Sequence, residues 1–357
     1  MKILEREIGS IEYAENQTRT LPLPRNYAYR CLDLILVCKL TRAATAADGG
    51  GPCDSAPAQL IKNIVIRANG RDVIKNYDLE SLHRLNQQRH GTRPFIDAED
   101  WSGYADAADK VMQIHARIEF EMWDAIRPID TLLDSAGLAT LELIVTWGTG
   151  LDTMDEDWPG SGGSAESVTV TEATLYVASV ESVGVPPGTM FMTNKEYVIR
   201  SQVTATSNRH QIFLPVSNLF RSIVLKTHSR GDQVNTIIPW GLNNQNPITI
   251  ASGTEVFKYR AAGFLQACNR LDKAMEVPEL MADAALTHRL LERRLEGYYI
   301  LEFVKDGRLT ECLDTSKLSS LELTLDVVAV DAVDHLDFID VYLTELIRPP
   351  EPVAVAV

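Results

Sequence analysis

The chain has 357 residues, 45% of them hydrophobic, with 49 acidic against 34 basic side chains and a net charge of −15, which suits about two ordinary domains with full cores. No run of about 20 apolar residues is available to cross a membrane as a helix. The acidic balance also argues against a nucleic-acid surface, which neutralises phosphates with basic stripes.

The N-terminal stretch MKILEREIGSIEYAENQ carries charges where a signal peptide needs its apolar region. Five cysteines (Cys31, Cys38, Cys53, Cys268, Cys312), odd in number and without metal-like spacing, read as free thiols of a protein made in a reducing cytosol. Cys31 and Cys38 fall within a predicted strand and read as core filling. A glycine-rich loop follows at 41–58. Asn69-Gly70, between IKNIVIRA and RDVIKNY, predicts a hairpin, because both residues tolerate the positive φ of a type I′ turn. NYDLESLHRLNQQRHG (76–91) predicts a helix with Asp78 as N-cap, Leu79, Leu82 and Leu85 at helical spacing, and Gly91 as its stop. The loop at 92–112 has no assigned pattern. ARIEFEMW (116–123) alternates, with Ala116, Ile118, Phe120 and Met122 on one face of a half-buried strand.

A second loop is expected at 152–167. ESVGVPPGTM (181–190), with Pro186-Pro187 and two glycines, breaks the chain and divides it into 1–183 and 184–357. In the second half, 257–275 predicts a helix, and VPELMADAALTHRLLERRLEG (277–297) another, with Pro278 in its first turn and Gly297 at its end. LELTLDVV (321–328) alternates again, Leu321, Leu323, Leu325 and Val327 facing inward. The Pro-rich end 347–357 is expected to be an extended arm.

The halves repeat. TLLDSAGLATLELIV (131–145) and ECLDTSKLSSLELTL (311–325) share Leu133/Leu313, Asp134/Asp314, Leu138/Leu318, Leu141/Leu321, Glu142/Glu322 and Leu143/Leu323, all 180 apart. LPRNYAYRCLDLIL (23–36) answers LPVSNLFRSIVLKT (214–227), with Arg30 matched to Arg221, and Ile118-Glu119-Phe120 answers Leu301-Glu302-Phe303. Each half closes on a strand-like stretch, 173–180 and 339–346. A repeat this long exceeds any solenoid unit of about 20–50 residues. Meandering strands with helices at matching points predict an antiparallel β-sandwich in each half.

Catalytic signatures are missing: there is no Walker A loop, GxGxxG, GxSxG, HExxH or CxxC. His288 and Glu292, four apart on a predicted helix, read as a surface pair. Asp152, Asp155, Glu156 and Asp157 could gather oxygens around calcium in a glycine-rich loop, though their spacing is not that of an EF-hand. Asp331, Asp334, His335, Asp337 and Asp340 read as a solvated hairpin between strands. A glycan hydrolase would need acids such as Glu119, Asp124, Glu302 and Asp306 to converge in a cleft. No catalytic, cofactor or metal residue is assigned.

The order TRTLPLPRNYAYRCLDLIL, a glycine-rich loop, then LIKNIVIRANGRDVIKNYDLESLHRLN resembles the N-terminal domain of double jelly-roll major capsid proteins of tailless, lipid-containing icosahedral bacteriophages. The corticovirus coat protein is the type, within the adenovirus-type capsid lineage. GYYILEFVKDGRLTECLDTSKLSSLELTLDV is similar to the late strands of the second jelly roll. The resemblance implies an all-β protein of two tandem eight-stranded jelly rolls with a few inserted helices. It implies a major capsid protein without enzymatic activity or cofactor. Homotrimers of pseudo-hexagonal outline would meet neighbouring trimers and vertex proteins over an inner membrane, without binding nucleic acid directly, after assembly in the host cytoplasm. A receptor-binding or minor capsid module of the same fold is the alternative, besides the hydrolase.

Overall fold

A computed structural model describes residues 2–42, 56–92, 94–97, 109–153, 168–185, 191–228, 237–238, 247–272, 297–329 and 337–348. The first half contains β1 (Lys2–Glu12), β2 (Thr18–Pro22), β3 (Ala28–Arg42), β4 (Ile61–Ala68), β5 (Asp72–Tyr77), α1 (Leu79–His90), β6 (Ile96–Asp97), β7 (Asp109–Glu119), β8 (Leu133–Asp134), β9 (Leu141–Trp147) and β10 (Val168–Val183). The second contains β11 (Thr193–Gln202), β12 (Ser207–Leu214), β13 (Leu219–His228), β14 (Ile248–Ser252), β15 (Glu255–Arg260), α2 (Ala262–Asp272), β16 (Tyr298–Glu302), β17 (Leu313–Asp314), β18 (Leu321–Val327) and β19 (Phe338–Ile347).

The halves have one topology. In the first, β1-β10-β3-β7 faces β5-β4-β9-β2; in the second, β11-β19-β13-β16 faces β15-β14-β18-β12. Each half is therefore an eight-stranded jelly roll, with short β6, β8 and β17 as additions. Alternation explains the cores. Leu141, Leu143, Val145 and Trp147 of β9, and Leu321, Leu323, Leu325 and Val327 of β18, are all buried. They belong to the two large apolar clusters, one centred in each sandwich.

The repeat extends to single hydrogen bonds. Asp134 accepts from the Ala136 amide at 3.1 Å, and Asp314 from the Ser316 amide at 3.0 Å. Ser135 Oγ donates to the Tyr27 carbonyl, and Thr315 Oγ1 to that of Asn218. These are Asx turns that reverse the chain in the same place, so the matched residues share a job. Arg30 and Arg221 sit at the same irregularity, the skipped position where β3 pairs β10 and β13 pairs β19. Tyr176 and Tyr342, one in each closing strand, are not counterparts: strand register sets Tyr342 opposite Val224 and Ala178 opposite Asp33, which makes Tyr342 the partner of Ala178 in the repeat.

Local signals held in several places. Asn69 and Gly70 have φ of 53° and 72°, with the Arg71 amide bonded to Ala68 O at 3.1 Å. The Asp78 carboxylate accepts from the Ser81 amide at 2.6 Å, and Gly91 ends α1 in the left-handed region at φ 71°. The helix expected over 257–275 begins only at Ala262, because residues up to Arg260 are tied into the β14–β15 hairpin. Four of the cysteines are described, all free, with Cys31, Cys38 and Cys312 buried. Of the helix over 277–297 all but Gly297, most of the loops 41–58, 92–112 and 152–167, and arm residues 349–357 lie outside the described residues.

Candidate functional site: the junction between the two sandwiches

The first sandwich's second sheet and the second sandwich's first sheet are one structure, joined where edge strand β5 runs parallel to edge strand β11 with Lys75 opposite Glu196. Pairing the two edges removes open ladders that each sandwich would otherwise expose. Lys75 and Tyr77 of β5 and Asn194 and Glu196 of β11 are buried where the two strands meet.

Glu196 is the centre of this junction. Lys75 Nζ donates to its Oε2 at 2.8 Å, Thr344 Oγ1 to its Oε1 at 3.1 Å, and Tyr77 and Arg89 also donate to it. Arg89 reaches Glu119 as well, at 3.4 Å, and His90 Nε2 lies 2.7 Å from that carboxylate. Burial alone would raise the Glu196 carboxyl, but Arg89 and Lys75 outweigh it and hold the group down at about 2. Burial dominates at Lys75, pushing the ammonium down to about 8 against the pull of Glu196. Burial opposes ionisation of Glu119 too, yet the contacts with His90 and Arg89 keep it below the ordinary glutamate range.

Helix α1 is wedged into the same junction. Its His83 Nδ1 lies 2.8 Å from the His115 carbonyl, and Asn86 exchanges two hydrogen bonds with the backbone of Arg117, closing the edge of β7. Its first turn meets the second sandwich: Lys226 Nζ donates to Glu80 at 2.8 Å and to Ser81 Oγ at 3.1 Å, and the Tyr342 hydroxyl lies 2.8 Å from Asp78 and 2.6 Å from Ser81. Val224, Tyr298, Ile300 and Tyr342 of the second sandwich accordingly join the first sandwich's core.

A third contact lies toward one end. Arg221 donates to Asp124 at 2.6 Å and stands 3.8 Å from Glu302. Met122 and Ala125 pack there with Leu219, Val304, Cys312 and Leu346. The Ile126 amide donates to the Gly307 carbonyl at 3.0 Å. Gly307 has φ 73°, and a Cβ there would stand 2.4 Å from the Asp124 carbonyl oxygen, so only glycine fits.

The acids singled out by sequence fall on different partners. Asp124 and Glu302 flank one guanidinium, Glu119 belongs to the Arg89 network, and the Asp306 amide donates to Glu311 at 2.9 Å. Asp152 Oδ2 accepts from the Thr149 amide at 2.7 Å and pairs with Lys62 at 3.0 Å. Asp155, Glu156 and Asp157 lie outside the described residues, as do Asp331, Asp334, His335, His288 and Glu292. Asp340 is paired with Arg200 at 2.7 Å, and Asp337 is buried. Among the described residues no three His, Cys, Asp or Glu side chains gather as a metal site. The residues that sequence reading missed are Lys75, Arg89 and Glu196, whose strand and helix faces look solvated when the halves are read separately.

Beside the Asp124 contact lies a cavity of about 480 Å³, lined by Asp124 of the first sandwich and by Lys258, Arg260, Asp272, Glu302 and Lys305 of the second, with polar and apolar neighbours.

No family model matches the chain, and no curated protein matches it. Solved structures do. The MCP of STIV aligns over 100% of both chains with a TM-score of 0.69 at 14% identity. The major capsid protein P2 of bacteriophage PM2 aligns over 98% of this chain and 99% of its own, with a TM-score of 0.56 at 12% identity. A chain of the PBCV-1 virus capsid aligns over 97% and 95%, with a TM-score of 0.53 at 10% identity. The chain has the double jelly-roll fold of these capsid proteins.

Proposed function

We propose that this chain is a major capsid protein, whose homotrimers of pseudo-hexagonal outline tile an icosahedral shell. The observation that carries the reading is one duplicated sandwich, its halves joined at the Glu196 junction, alike over its whole length to capsid subunits of separate viruses. Two near-equivalent sandwiches let a three-fold oligomer present six similar sides, which is what a lattice of six-neighbour tiles needs. The division falls at 183/184, between β10 and β11, and within 347–357 the residues beyond the end of β19 at Ile347 serve as an arm toward a neighbouring subunit. Neighbouring trimers, vertex proteins and an underlying membrane are the further partners, assembled in the host cytoplasm. The work is done by packing, without catalysis or cofactor. The hydrolase alternative finds no support in the acids, since Asp124 and Glu302 are engaged with one arginine at the junction.

The test is the native mass and outline of purified protein. A three-chain particle with a six-lobed outline in negative stain is expected; a monomer at micromolar concentration overturns the reading.

A further inference from the structure

β5 and β11 are edge strands that meet within the chain. Their counterparts in the repeat, β15 and β1, are edge strands with no neighbour on their outer side among the described residues. Strand register says which residues correspond. Glu181 pairs Tyr29 and Leu4, while Glu345 pairs Phe220 and Lys195; Leu4 thus corresponds to Lys195, and the next residue, Glu5, to Glu196. On the other edge, Lys75 opposite Ile66 corresponds to Lys258 opposite Ile250, each beside the same bulge. The helices correspond too, since Gln266 donates to the Tyr298 carbonyl at 2.7 Å where His83 meets that of His115.

Around Glu196 the first sandwich places Lys75, Tyr77, Arg89 and, behind them, Glu119. The matching positions in the second sandwich are Lys258, Arg260, Asp272 and Glu302. All four line the 480 Å³ cavity. So the place that Glu196 fills in one sandwich is open in the other. Glu5, its counterpart, is exposed and makes no ion pair among the described residues.

The helix faces differ in the same sense. Ser81, Arg84 and Gln88 of α1 are buried, Ser81 against Lys226 and Tyr342 of the second sandwich. Their counterparts on α2, Phe264, Ala267 and Leu271, form an exposed stripe, with Phe264 53% and Leu271 83% exposed. Ser81 receives a hydrogen bond from Lys226, and the counterpart of Lys226 on the first sandwich's outer face is Ile35, 40% exposed. A polar pair inside the chain is matched by an apolar residue on each of two unconnected surfaces. Matched change on both sides is what a second interface of the same geometry requires.

The geometry points to a head-to-tail contact between copies, in which β1 of one copy lies along β15 of the next, Glu5 enters the cavity beside Lys258 and Arg260, and Phe264 covers Ile35. This contact rests on the homotrimer reading and supplies its residues. It is heterologous, two different patches meeting, and such contacts close into a ring when the rotation per copy divides a full turn. Both surfaces occur once per chain, so closure after three copies leaves neither exposed.

The double variant Glu5→Cys/Lys258→Cys, treated with a short bis-maleimide, is expected to yield covalent two- and three-chain species on a denaturing gel. Neither single variant should do so beyond the wild-type background. A trimeric native mass without these species overturns the contact and leaves the trimer standing; a monomeric wild type overturns both. Because Glu5 is exposed, Glu5→Lys should fold normally while raising the trimer's dissociation constant about tenfold or more, and adding Lys258→Glu should restore most of the loss. An unchanged dissociation constant in Glu5→Lys also overturns the contact.

Discussion

Glu196→Gln preserves the size of the side chain at the centre of the junction and removes its charge. The magnitude follows from the carboxyl's position at about 2, against an ordinary value of 4.5. That difference of about 2.5 pH units corresponds to about 3 kcal/mol in favour of the folded, ionised form. An independent route agrees, since removing one partner of a buried ion pair costs about 3–5 kcal/mol. The group's pKa is depressed on folding, so the unfolded chain takes up the proton more readily. Its stabilisation is complete above the ordinary value and fades as pH falls toward 2. The stability difference between wild type and variant should therefore be about 3–5 kcal/mol at pH 7 and shrink by about 1.4 kcal/mol per pH unit below pH ~4.5. Urea unfolding followed by tryptophan fluorescence, at one fixed chain concentration because association shifts apparent stability, gives both quantities. A difference under about 1 kcal/mol at pH 7, or one independent of pH, refutes the assigned role of the buried charge.

Three further outcomes are expected. Gly307→Ala places a methyl against the Asp124 carbonyl at a left-handed position and should lower thermal stability by about 2 kcal/mol or more, and a melting curve matching wild type would show that the loop yields freely. Burial pushes the thiols of Cys31 and Cys38 up to about 12 and that of Cys312 to about 11, so a chromogenic disulfide at pH 8 should label at most Cys53 and Cys268 until urea is added; a third fast-reacting thiol contradicts this. Removing 349–357 should leave the unfolding transition within about 0.5 kcal/mol of wild type while impairing shell assembly, and a truncated chain that does not fold refutes the arm.

The architecture was legible because the sequence states it twice. Leu133-Asp134 and Leu313-Asp314 each begin an Asx turn, and a turn needs particular residues whatever surrounds it. Helix α1 was legible from Asp78 and Gly91 for the same reason. The junction was not. Period-two alternation separates an apolar face from a polar one, but it does not say whether the polar face meets water or a second sandwich. Lys75, Glu119 and Glu196 stand on such faces and are nearly inaccessible, while Lys258 and Glu5, on the same faces of the repeat, are not. The boundary of α2 failed for a related reason: Phe257 and Tyr259 suit helix or strand, and the hairpin with β14 decided between them.

The junction inside the chain and the contact proposed between copies differ in chemistry in a way that connectivity explains. Inside the chain, β5 and β11 are held at high effective concentration by the polypeptide, so docking incurs little translational entropy. Such a contact can carry the desolvation cost of Lys75, Arg89 and Glu196, and in return the ion network fixes one register between the sandwiches. Separate copies must first overcome the loss of free motion, of order 4–15 kcal/mol, before any contact is favourable. A surface built for that task gains from apolar area, about 25 cal/mol for each Å² removed from water. Ile35 and Phe264 where the chain's own junction has Lys226 and Ser81 is a difference in that direction, and in the proposed contact glutamate at position 5 opposite Lys258 would keep one charged pair to set the alignment. On the proposed contact, one duplicated fold would support a permanent seam and an assembled one, distinguished by how much charge each can bury.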